Sequence, residues 1–319
     1  MLTLALGVLG CGGDKKEAGA KAEKVNVGIV QLVEHEALDA ANKGFIDGLA
    51  SKGYKEGQNI TFDKQNAQAD QSNLQNIAHR FVNNKVDLIC AIATPAAQTV
   101  ANVTSDIPIV ATAVTDYKTA KLVKDNAKPG TNVTGTTDMN PVSEQLDLLL
   151  KLVPNAKTIG TIYCSSEVNS QLQVELLKKA AAAKGITVKE ATVSTVNDIQ
   201  QAARSLAGDV QAVYVPTDNV LASAIPTLIS VTEEAKLPVI CAEGGMVRAG
   251  GLATLGVDYY KLGFQTGVMA ADILSGKAKP ADMAIQAQKE FKPTINLKEA
   301  AKIGLKVPED LLKGAEVIK

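Results

Sequence analysis

The sequence has no tryptophan, and only 3% of its 319 residues are aromatic. A ligand face built on stacked rings, as many sugar sites are, has little to draw on. Only two histidines occur. No His/Cys spacing fits a metal centre, and no GxGxxG, Walker loop, HExxH or GxSxG motif is present. Neither enzymatic chemistry nor a bound metal or cofactor is expected. The net charge is -1, and no Lys/Arg-rich run offers a nucleic-acid footprint. Four cysteines are too few and too scattered for a disulfide framework. Cys90, Cys164 and Cys241 each fall near the end of an apolar run and are expected as free, buried thiols.

What is present is enough apolar residue, 46% of the chain against 21% charged, to build two α/β cores. The chain opens on an apolar stretch ending in Val8-Leu9-Gly10-Cys11, too short to span a bilayer. Those four residues resemble the bacterial lipobox, in which the cysteine is lipidated. Gly12 to Gly19 then form a polar, flexible tether. Cys11 is the expected lipid anchor, and the protein is expected outside the cytoplasm, touching membrane only through it.

From Val25 onward, apolar strands alternate with amphipathic helices, the pattern of parallel βαβ units. Val25–Val33, Asn59–Gln65, Val86–Ala93 and Ile107–Thr112 read as strands. Glu36–Lys52, Gln71–Asn83 and Pro95–Val103 read as helices. The second half repeats the first: Ile159-Gly160-Thr161-Ile162 answers Val27-Gly28-Ile29-Val30, and Leu237-Pro238-Val239-Ile240 answers Ile107-Pro108-Ile109-Val110. We expect two similar Rossmann-like α/β lobes with parallel sheets, joined by a three-segment hinge. Residues 1–24 hold the signal and tether, 25–137 plus 254–281 the first lobe, and 138–253 plus 282–319 the second. This division sends the strand Gly251–Val257 and the helix Tyr259–Leu274 back across to the first lobe. Candidate hinge segments are Thr136–Met139, Gly250–Thr254 and Pro280–Met283.

Ligands of open parallel sheets bind beyond the carboxyl ends of the strands. Those positions hold Glu34 and His35; Thr94, Ala96, Ala97 and Gln98; and Thr115 and Asp116 in the first half. In the second half they hold Ser166, Glu167 and Asn169; Thr217, Asp218 and Asn219; Glu243; and Asp258. Thr94-Pro95 has the form of a helix cap whose free N–H groups attract a carboxylate. Asp218 offers an acceptor to an ammonium group, or caps a helix. Together they suit a zwitterion, hence an amino acid. A sugar or nucleoside cargo is the alternative, as is presentation of ligand to a membrane sensor.

Several runs carry a family resemblance: Gly28-Ile29-Val30-Gln31, Ala93-Thr94-Pro95-Ala96-Ala97-Gln98, Ala113-Val114-Thr115-Asp116, Ser166-Glu167-Val168-Asn169-Ser170 and Pro216-Thr217-Asp218-Asn219 among them. They resemble the ABC-transporter substrate-binding lipoproteins that include tryptophan- and tyrosine-binding members. Cys164 stands where that family commonly has Asn. The resemblance implies a type I periplasmic-binding-protein fold with three crossovers. It implies a monomer that closes on an aromatic or other apolar amino acid and hands it to an ABC permease and ATPase.

Overall fold

The computed structural model describes residues 24–319. The expected lipobox with Cys11 and the expected tether lie outside the described residues.

The first lobe is laid down in order as β1 (Val25–Gln31), α1 (Glu36–Ser51), β2 (Ile60–Asn66), α2 (Gln71–Asn83), β3 (Leu88–Ile92), α3 (Thr94–Val103), β4 (Ile109–Val114) and β5 (Val133–Thr137). β3 and β4 are buried at every position, as uninterrupted apolar runs in central parallel strands must be. α2 shows how sequence fixes a helix here. The Asp70 carboxylate caps it by accepting from Asn73 N at 2.8 Å. Leu74, Ile77, Ala78 and Phe81 then recur on one face and are buried.

The chain crosses at 138–141 into the second lobe. There it forms α4 (Val142–Leu152), β6 (Thr158–Cys164), α5 (Val168–Ala182), β7 (Thr187–Val193), α6 (Ile199–Ala207), β8 (Val213–Val215), α7 (Asn219–Ser223), α8 (Ile225–Glu234), β9 (Val239–Cys241), α9 (Gly244–Arg248) and β10 (Ala253–Gly256). α10 (Tyr259–Leu274) and β11 (Gln286–Ala287) return to the first lobe. β12 (Lys292–Asn296), α11 (Leu297–Ile303), α12 (Glu309–Leu312) and β13 (Glu316–Ile318) finish the second. The two sheets run β11-β5-β4-β3-β1-β2 and β13-β12-β10-β9-β8-β6-β7.

The structure moves two of the expected crossings. The strand expected in the first lobe, Gly251–Val257, contributes β10 to the second sheet, where Ala253 pairs with Ile240 of β9 and with Ile295 of β12. The crossing therefore follows at 257–258, and Gly250–Thr254 holds the turn into β10 and its first two residues. The return is later as well, because Gln286 of β11 still pairs with Thr136 of β5. Pro280–Met283 is a turn held on the first lobe, where Thr134 Oγ1 donates to Met283 O at 2.6 Å. Turn-forming residues mark the ends of elements, and here those ends do not coincide with lobe boundaries. The expected all-parallel second sheet also carries one antiparallel pair, β10 with β12.

α10 buries Leu262, Met269 and Ile273 in the core of the first lobe, and glycine sets how closely it packs there. A Cβ on Gly263 would sit 1.9 Å from Ala41 O, and one on Gly267 would sit 2.2 Å from Phe45 O. Gly44 and Gly48 of α1 face α10 just as closely. The two helices thus pack backbone to backbone, and the crossover helix is part of the first lobe's core.

Candidate functional site

The loops after β1 and β3 meet those after β6 and β8 across the gap between lobes. After β3 the backbone turns sharply: Ala93 has φ +90°, a conformation that side-chain-bearing residues rarely adopt. This turn aims the start of α3 at the second lobe. Ala93, not Thr94, occupies the cap position, and Thr94 is the first helical residue. The Thr94 hydroxyl is buried and has no hydrogen-bond partner. Ala96 and Ala97 are fully buried behind it. Gln98 donates to Ala120 O at 3.1 Å.

The second lobe contributes a hydrogen-bonded cluster centred on Glu167. Its carboxylate accepts from Asn219 N at 3.0 Å, from Asn219 Nδ2 at 2.6 Å and from Asn169 Nδ2 at 2.9 Å. Asn169 Nδ2 also donates to Thr217 O at 2.9 Å, while Asn169 Oδ1 is buried without a partner. Burial, and secondly the charge of Asp218, push the Glu167 carboxyl above the usual carboxylate range. Ser166 lies at the exposed edge, its hydroxyl 3.2 Å from Cys164 Sγ.

Asp218 is engaged by its own chain. Its carboxylate accepts from Leu221 N at 2.9 Å, Cys164 N at 2.6 Å and Ser170 Oγ at 2.7 Å. It is only 1% exposed, and burial raises its pKa. The helix-cap alternative therefore describes this residue, and three of its carboxylate's acceptor positions are taken by its own chain.

His35 reaches across the gap. Its Nε2 lies 3.3 Å from Asn219 Oδ1, and its Nδ1 is buried with no partner. Burial lowers its pKa, opposed by the Asn219 hydrogen bond and the charge of Asp39. Glu34 beside it is exposed. A chamber of about 460 Å³ adjoins this region, lined by Leu32, Leu74, Pro95 and Gln98 from the first lobe and by Ser166, Glu167, Asn219 and Val220 from the second.

The remaining expected residues go elsewhere. Thr115 Oγ1 donates to Asp138 Oδ1 at 2.9 Å, in the first crossing. Asp116 caps a turn through Thr119 N at 2.6 Å. Glu243 caps α9, accepting from Gly245 N and from Met246 N at 2.7 Å, and burial raises its carboxyl to about 7. Asp258 caps α10 through Lys261 N at 3.1 Å. Glu243 and Asp258 line a separate cavity of about 200 Å³ beside Glu36 and Arg248. There Arg248 of the second lobe donates to Glu36 of the first and, at 3.0 Å, to Glu316.

The crossings carry polar residues that strand-end reasoning missed. Buried Asp138 accepts from Tyr259 Oη at 2.8 Å, and Asn140 joins Val257 N (3.3 Å) to Thr217 Oγ1 (3.1 Å). Gln288 accepts from Asp258 N at 3.0 Å. The three crossing strands are thus bonded to one another. A polar residue inside an apparent hinge segment, as Asp138 is, was the only signal available in the sequence.

Two lobes of like design, three cross-bonded crossings and buried polar groups facing the gap define a two-lobed solute-binding protein. The chain belongs to the ABC transporter substrate-binding protein family, whose model matches residues 26–319. It is 48% identical over 265 residues to the tyrosine-binding protein of Clostridioides difficile, covering 83% of this chain and 76% of that one. It is similar to a Streptococcus pneumonia ABC domain solved in complex with L-Trp, at 41% identity and TM-score 0.90, covering 93% of this chain and 100% of that one. It is also similar to the ligand-free, open structure of a Clostridium difficile substrate-binding protein with adhesive properties. That match has 44% identity, covers 92% of this chain and 99% of that one, and has a TM-score of 0.71. The present structure is thus more similar to the tryptophan complex than to the open form. The family serves ABC transporters from outside the cytoplasm. Among the described residues, no helix is long and apolar enough to cross a membrane.

Proposed function

We propose that this chain captures an aromatic amino acid, tyrosine or tryptophan, between its lobes and delivers it to an ABC permease and its ATPase. It acts as a monomer tethered outside the cell membrane by lipid on Cys11, and it binds without catalysing a reaction. One observation carries the reading: the lobes are arranged as in the relative solved with L-Trp, around buried polar atoms that lack partners within the chain.

Closure follows from where the groups sit. Thr94 and the start of α3 belong to the first lobe, and the Glu167 cluster belongs to the second. A ligand bridging them makes its full set of contacts only when the lobes meet, so it favours the closed state by that difference in affinity. The ligand carboxylate lies at the start of α3, where free N–H groups and the Thr94 hydroxyl donate to it. Its apolar side chain extends toward Leu32, Leu74 and Val220.

A thermal-shift screen of the chain from residue 24 tests this, after partial unfolding to strip bound ligand. A ligand at about 100 times its Kd adds roughly 2.7 kcal/mol of stability. A shift with tyrosine or tryptophan and none with sugars or nucleosides is expected. A shift with sugars alone overturns the cargo assignment.

A further inference from the structure

We propose that His35 reads the amino group of the cargo, accepting a hydrogen bond at Nδ1 with Asn169 Oδ1 as the second acceptor. The site would then select ligands that bear a primary ammonium and reject their deaminated analogues. The inference rests on the amino-acid reading given above and deepens it.

Hydrogen-bond accounting fixes the roles. Asn219 Nδ2 meets the Glu167 carboxylate at 2.6 Å, so Asn219 presents its Oδ1 to His35. His35 Nε2, 3.3 Å from that oxygen, is then the protonated nitrogen. In a neutral imidazole the other nitrogen carries a bare lone pair. That lone pair, on Nδ1, is buried and unpartnered. Asn169 is fixed the same way. Its Nδ2 meets a backbone carbonyl, Thr217 O, at 2.9 Å, which leaves Oδ1 as a buried acceptor with no donor.

The two orphan acceptors are joined through Asn219 and Glu167, one on each lobe. Buried acceptors without donors are costly, and a ligand that supplies N–H groups removes that cost. An ammonium carries several such groups and no lone pair, so it matches two acceptors at once. Asp218, the acid that composition and position first suggest for this task, already accepts three hydrogen bonds from its own chain, whereas the two orphan atoms accept none.

Protonation of His35 would turn its acceptor into a donor facing a cation. The charge acting on the ring is Asp39 on its own helix; across the gap Glu167 shares Asn219 with it, and Arg248 is held by Glu36. Burial outweighs the nearby acids and keeps the imidazole neutral at pH 7. Cargo affinity should therefore weaken on acidification, by about tenfold per pH unit once His35 takes its proton.

The test uses calorimetric titration with L-tyrosine and with 3-(4-hydroxyphenyl)propionate, which lacks only the amino group. Wild type should bind L-tyrosine roughly 100-fold or more tightly than the propionate. His35→Phe and His35→Gln should weaken L-tyrosine at least about tenfold and leave the propionate within about threefold. The acid-side loss of L-tyrosine affinity should vanish in His35→Gln. If both ligands weaken equally, His35 serves only to join the lobes, and the assignment is overturned. An unchanged L-tyrosine affinity in both variants overturns it too. If wild type binds neither L-tyrosine nor L-tryptophan, the amino-acid reading itself fails.

Discussion

Gly263→Ala is the perturbation that bears hardest on how the crossings are built. The added Cβ would stand 1.9 Å from Ala41 O and 2.6 Å from Ala41 C, atoms of the α1 backbone that cannot rotate away. Normal contact requires the helices to part by more than ~1 Å, and the whole α1–α10 face loses dispersion contact with that shift. Overpacking of this kind costs about 1–3 kcal/mol, and a backbone obstacle belongs at the upper end. Alanine's better helix propensity returns up to about 1 kcal/mol. The net loss should be about 2 kcal/mol, large against the 5–15 kcal/mol that typically holds a domain. Urea unfolding followed by circular dichroism measures it. Gly208→Ala is the control, since nothing lies within 4 Å of that position and its φ is -87°. The control should match wild type or exceed it by up to about 1 kcal/mol. A Gly263→Ala protein as stable as wild type would refute the claim that α10 is held by backbone contact.

Other consequences are smaller or differently placed. Asp218→Ala strands Leu221 N and Cys164 N, while Ser170 Oγ keeps Thr217 O, so it should lower unfolding stability by about 2–4 kcal/mol in a urea titration. Arg248→Ala removes a half-exposed interlobe ion pair. Ligand affinity should fall less than about fivefold, and the loss should shrink at high salt. Glu299 is 2% exposed, with both carboxylate oxygens lacking hydrogen bonds, and burial raises its pKa to about 7. Its folded pKa exceeds the unfolded value, so its contribution is most favourable below about pH 4.5 and is lost as pH rises through 7. Glu299→Gln should therefore raise the melting temperature at pH 8 and change it little at pH 5.

The alternation of apolar strands and amphipathic helices was enough to read the two-lobed α/β plan, because buried parallel strands leave uninterrupted apolar runs such as Leu88–Ile92. The helix Gln71–Asn83 was legible to the residue, since an Asp cap precedes it and a clean apolar stripe runs through it. The crossings were not legible. β10 and β11 are four and two residues long, and only their pairing partners tell which sheet holds them. At the site, the cluster of Glu167, Asn169, Thr217 and Asn219 was visible as polar residues after strands. The part each plays was not. Asp218 and Asn169 look equally available in the sequence, and only the hydrogen bonds show the first occupied and the second open. His35 was visible as a cleft residue, but its unpartnered nitrogen depends on Asn219, which lies in the other lobe.

Small-angle X-ray scattering of the stripped protein, with and without aromatic amino acid, tests the central claim most directly. Added tyrosine or tryptophan should shrink the radius of gyration and bring the scattering curve onto that calculated from the present structure. A ligand that binds tightly in calorimetry yet leaves the open-state scattering unchanged would contradict capture between the lobes.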